Sequence, residues 1–181
     1  KNSKAYEVLT NLSSTKNNII LDFNYTASTR LILKQCGLSD EDIDNSLIKV
    51  HGEASSNDII FGVEDNAGIK KEHVFLRKAY NIKYKALNFS ELYDRIKSVA
   101  IFGHSLGETD HTYFNKLFQE SCMYNKFSTN NNKEFWLFYY KENGYHCMMQ
   151  QLDSLTHNSL TSFRQYNRVN FINTDKEKVF I

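Results

Sequence analysis

Three short stretches carry residue types that can do chemistry. Gly103-His104-Ser105-Leu106-Gly107 reads G-x-S-x-G, the turn from strand to helix that presents a nucleophilic serine in hydrolases. Val50-His51-Gly52 sets an imidazole directly after an apolar run; imidazole, with an unperturbed pKa of about 6.5, suits proton transfer near neutrality. Phe23-Asn24-Tyr25-Thr26 sets a carboxamide in the same kind of place, with donor and acceptor groups that match a ribose hydroxyl.

Two chemistries compete for these residues. As a serine hydrolase, Ser105 needs an acid and a histidine further along the chain. The candidates are Asp110, Glu120 and Asp153, with His111, His146 and His157. Asp153 and His157 share one helical stretch, and Asp110 and His111 stand too near Ser105 to be placed around it independently. As a nucleotide or ribosyl site, His51 serves as general base, Asn24 holds ribose, and Gly103 with Ser105 offers backbone N–H groups and a hydroxyl at a helix start.

Plain structural roles compete as well. Asn24 suits an Asx-type turn, His51 a surface turn, and Ser105 a helix cap. Asp22 and Asp110 suit acid–base work only if the fold brings them together. His104, His111, His146 and His157 lack metal-ligand spacing with cysteine or acidic partners, so they read as structural or exposed and no metal is expected. Phe135 to Tyr140 is aromatic at every position but Leu137, without interleaved basic residues, which favours a buried strand over base stacking.

The elements that must position these residues follow from periodicity. Tyr6, Leu9 and Leu12 predict a helix within residues 1 to 15. Strands are expected over 18–23, 47–50, 58–63, 98–102, 135–140 and 169–172. Helices are expected over 29–35 (capped by Thr26 or Ser28 and ended by Gly37), 91–96, 110–122, 145–154 and 159–166, with a weaker helical signal over 73–85. Tyr113, Phe114, Leu117 and Phe118 share one helical face. Ser39 to Asn45 reads as a loop or helical turn, Glu64 to Lys71 and Lys126 to Lys133 as loops, and Gly144 as punctuation. Short apolar strands alternating with helices predict a single α/β domain over residues 1–181, with a parallel sheet and helices on both faces. In such sheets ligands bind at the carboxyl ends of strands, where all three stretches fall.

Composition bounds the function classes. The chain has 181 residues, with 22 basic and 21 acidic side chains and a formal charge of +1. That balance offers no electrostatic case for nucleic acid or an acidic membrane. No apolar run reaches the roughly 18 residues of a membrane span. Three widely spaced cysteines form no C-x-x-C pair, which fits a reducing cytoplasm.

Taken together, "NIILDFNYT", "IKVHGE…DIIFGVED" and "IFGHSLGETDHTYF" resemble the bacterial phage abortive-infection AbiH family, in order, over about Asn18 to Phe118. That family is similar to sirtuin-like NAD-binding domains. The resemblance implies a Rossmann-like, sirtuin-like three-layer fold with NAD as ligand or substrate. It implies that His51 activates a ribose hydroxyl and that Asn24, with Tyr25 and Gly52 beside the pocket, contacts ribose. It further implies that Gly103 and Ser105 touch ribose or phosphate, and that Asp110, in the S-L-x-x-x-D pattern, fixes the loop or caps the helix. Cleavage of the nicotinamide–ribose bond would make the protein an NAD glycohydrolase that depletes NAD in an infected cell. A nucleotide-sensing or protein-interaction module that binds without turnover is the alternative, and a serine hydrolase using Ser105 is a third. Family members carry an N-terminal glycine-rich motif after a first strand, and nothing before Phe23 matches it here. The chain is therefore expected to be a C-terminal portion lacking its first strand and phosphate loop, completed by an upstream segment, a partner chain or a second copy.

Overall fold

In a computed structural model the described residues are 3–13, 17–60, 62–63, 67–80, 95–123 and 132–175. The chain divides into two units, Lys1–Ala86 with Phe180–Ile181, and Leu87–Val179.

The first unit begins with helix α1 (Lys4–Ser13), which buries Val8. Strand β1 (Ile20–Asp22) leads through helices α2 (Ser28–Gln35) and α3 (Asp40–Ser46) to strand β2 (Leu47–Lys49). The strands are parallel, with Ile20 beside Leu47 and Asp22 beside Lys49. Leu33, Ile43, Val50 and Ile60 join Val8 in the core. At the end of α2, Gly37 takes φ +94° and Leu38 N–H reaches back to Leu33 O at 3.2 Å. A left-handed residue there satisfies the last carbonyls, which is why glycine stops this helix. The acidic stretch resolves as a true helix: Ser39 Oγ accepts from Asp42 N–H, and three acidic residues line the first turn, where the helix dipole favours them. The cap expected for α2 differs. Ala27 holds that position without a side-chain bond, and the Thr26 and Ser28 hydroxyls lie 3.0 Å from each other.

The strand expected over 58–63 does not form in its described part. Asn57 turns left-handed at φ 50°, Ile60 N–H bonds to His51 O, and pairing is limited to a bridge between Val63 and Arg77. Apolar residues alone do not make a strand when the backbone ahead of them is spent on a tight turn. The weak helical signal beyond it becomes 3₁₀ turns at Lys71–Leu76 and Lys78–Tyr80; its remainder, and most of the helix expected over 91–96, lie outside the described residues.

The second unit holds parallel strands β3 (Ser98–Ile101), β4 (Glu134–Tyr139) and β5 (Arg168–Asn173), in that spatial order. Helix α4 (His111–Ser121) connects the first two, and α5 (Lys141–Leu155) with α6 (Leu160–Tyr166) connects the last two. Side chains alternate across a strand, so the partners of β4 locate the helices. Phe135 stacks with Phe118 of α4 and meets Phe163 of α6 edge-on, and Tyr145 of α5 contacts Tyr139 and Phe171. These contacts lie on one face of β4; on the other, Phe138 meets Phe102. The predicted face of α4 is buried as Tyr113, Phe114, Leu117 and Phe118. Gly144, expected as punctuation, sits inside α5. A single interior glycine costs a helix only about 1 kcal/mol, less than burial of Met148, Leu152 and Leu155 returns.

Candidate functional site

In the first unit, the residues singled out gather where β1 and β2 end. Asp22 is the last residue of β1 and is buried. One of its oxygens accepts from both the backbone N–H and the side-chain amide of Asn24, at 2.9 and 3.0 Å. The Asx turn here is thus made by Asp22, and the Asn24 amide nitrogen is engaged by it. The other Asp22 oxygen accepts from Lys49 Nζ at 2.9 Å. His51 follows β2 with only 5% of its surface exposed. Phe23 meets its ring edge-on at 5.4 Å, and Tyr25 stacks on it at 6.0 Å and 30°. His51 is therefore a covered imidazole and not the surface turn residue its neighbour glycine suggested.

Gly52 has a packing reason to be glycine. Its φ is +73°, and a Cβ there would stand 2.1 Å from Asp58 O, a distance no side chain tolerates. Asp58 in turn accepts from Glu53 N–H and the Ser56 hydroxyl at 2.7 and 2.9 Å, closing the loop after His51 on itself.

In the second unit, Gly103 to Gly107 leave β3 in a turn that precedes α4. Gly103 takes φ +66° with open space where a Cβ would point. Leu106 is also left-handed, at φ 54°, and is completely buried. Two histidines brace it. His104 Nδ1 accepts from Leu106 N–H at 2.9 Å, and its Nε2 lies 3.4 Å from Asp110 Oδ2. His111 Nε2 stands 3.0 Å from Leu106 O and 2.8 Å from Gln151 Oε1; a carbonyl partner places the proton on that nitrogen. Asp110 occupies the N-cap position of α4 without a side-chain cap bond. Ser105 is exposed on this turn and caps neither the 3₁₀ turn, which starts after Gly107, nor α4. His111 is spent on Leu106 and Gln151, and His157 lies 3.0 Å from Gln119. The geometry thus supplies Ser105 with no triad from these two histidines.

A surface cavity of about 470 Å³ opens where β4 and β5 end, lined by Tyr139, Lys141, Glu142, Tyr145, Asn173 and Asp175. None of the sequence-predicted site residues lines it. Among the described residues no group of three His, Cys, Asp or Glu side chains could hold a metal ion.

Sequence reasoning missed Lys49 and weighed Asp22 only against Asp110. The available signal was register: opposite charges end two short apolar runs that a βαβ unit places side by side.

These are the features of a mixed α/β protein with parallel sheets, compatible with a Rossmann-like fold, whose polar residues collect at strand carboxyl ends. The model of the Bacteriophage abortive infection AbiH family matches residues 1–140, which include all three motifs. The chain belongs to that family, and membership implies a role in abortive infection by phage. No curated protein and no solved structure matches it. No helix among the described residues is long and apolar enough to cross a membrane.

Proposed function

We propose that this protein defends against phage through a sirtuin-like site that binds NAD and hydrolyses its nicotinamide–ribose bond, with His51 as general base. The observation that supports it most is the placement of His51: an imidazole at the carboxyl end of a parallel strand, covered by the Tyr25 ring and flanked by the Asn24 loop. In this reading Asn24, Tyr25 and Gly52 line the ribose side of the site. Water attacks C1′ as the bond to nicotinamide breaks. The bonding pair leaves on the ring nitrogen, which becomes neutral, and the water proton passes to His51.

The full-length protein incubated with NAD tests this by chromatography of released nicotinamide. His51→Ala should lower release by at least about 100-fold, the usual contribution of a general base, while circular dichroism stays unchanged. Full activity of the variant removes His51 from the mechanism. One observation favours the non-catalytic alternative: the Asn24 amide nitrogen is held by Asp22. Nucleotide binding by calorimetry without any nicotinamide release would select that sensor reading.

A further inference from the structure

The ammonium of Lys49 has three donors, and all three are used by one loop. They go to Asp22 Oδ2 at 2.9 Å, to Thr26 O at 2.7 Å and to Asn24 O; Glu53 Oε2 lies 3.9 Å away. Lys49 is mostly buried and Asp22 almost wholly so, with side-chain exposures of 17% and 3%. A cation so saturated has no donor left for a phosphate, and its carboxylate partner has both oxygens occupied. The carbonyls that Lys49 holds belong to residues 24 and 26, on either side of Tyr25. The carbonyl of Tyr25 itself accepts from Ala54 N–H at 2.8 Å. Every carbonyl from Asn24 to Thr26 is therefore tied to β2 or the segment after it. Tyr25 itself is 37% exposed, with its ring stacked on His51.

We propose that Asp22 and Lys49 are positioning residues: a buried ion pair that clamps the Asn24–Thr26 backbone so that the Tyr25 ring covers His51 and sets its access to ligand. This deepens the assignment of His51 as the base and rests on that assignment for its catalytic meaning. Asp22 supplies the charge that makes it possible to bury Lys49, and Lys49 converts the charge into three fixed oxygens. Removing Lys49 alone would strand a buried carboxylate, so the informative change removes both charges together.

The test is the rate at which diethylpyrocarbonate modifies His51 in the full-length protein, read by peptide mass spectrometry against exposed His146 as internal standard. Asp22→Asn with Lys49→Met should raise the His51 rate about tenfold by freeing the loop, with the His146 rate unchanged. Tyr25→Ala should raise it to a similar level, and adding Tyr25→Ala to the double variant should add little. Lys49→Arg, which keeps the cation and its donors, should stay near wild type. If the double variant does not fold, Asp22→Asn with Lys49→Gln replaces it, with the same expectations. An unchanged His51 rate in a folded double variant overturns the proposal, as does Lys49→Arg reacting as fast as the double variant. The readout needs no NAD turnover, so an inactive wild type would sink the hydrolase reading and leave the clamp to be judged by this rate alone.

Discussion

At the residue scale, two positions owe their identity to packing that can be tested without any substrate. Gly52 cannot accept a side chain without moving the Asp58 backbone, because a Cβ would overlap its carbonyl oxygen. Gly52→Ala should therefore cost about 2–4 kcal/mol, the range of a strained backbone combined with a steric clash, measured by urea unfolding. Asp40 tests electrostatics instead. The hydrogen bond from Lys34 lowers its carboxyl pKa below the ordinary value, with Arg30 adding to the effect. A carboxylate held low stabilises the fold above its unfolded pKa of about 3.9, and that contribution fades as pH falls through the folded value. Lys34→Met should return the Asp40 titration, followed by NMR, toward the ordinary carboxylate range. An unmoved titration would show that the pair does not form in solution. Ser105 makes a contrasting case: a fluorophosphonate probe should leave it unlabelled in active protein, because His104 and His111 serve the backbone of Leu106 and His157 meets the side chain of Gln119.

At the scale of elements, the contrast between α3 and the 58–63 segment shows what local signals decide. Ser39 followed by three acidic residues contains its own start signal, and the helix forms where a loop or single turn was the expectation. Ser39→Ala should destabilise it by about 1 kcal/mol, the usual value of a lost N-cap, seen in thermal unfolding. The apolar residues at 58–63 look no worse as a strand than those at 47–50. In their described part they fail because Asp58 folds back onto Gly52 and Glu53, a contact between residues that no periodicity registers. The same limit applies to α4: the spacing of Tyr113, Phe114, Leu117 and Phe118 shows which face is buried, but not that His104 within the preceding turn and His111 at the helix start both hold Leu106.

At the scale of the molecule, both units are parallel βαβ constructions, and each carries its candidate residues where strands end. The second unit is held by the Phe118–Phe135–Phe163 cluster, whose rings lie 4.8 to 5.6 Å apart. Phe135→Ala removes its centre and should cost about 3–5 kcal/mol, a large share of the roughly 5–15 kcal/mol that keeps an ordinary domain folded, as urea unfolding would measure. Burial also pushes the Cys122 thiol up, so it should alkylate far more slowly at neutral pH than exposed Cys147.

The sequence by itself determined that the protein is α/β, the places of strands β1 to β5, and the three motifs that place the chain in its family. Those features are local: apolar period, caps and short fixed spacings record them directly. Only the tertiary structure decided what each motif residue touches. It covered His51 with Tyr25, gave Asn24 to Asp22, set Asp110 against His104 and tied Lys49 to a loop more than twenty residues earlier. Hydrogen bonds and ring contacts between residues distant in the chain depend on register and side-chain direction, and neither is written in the spacing of residue types.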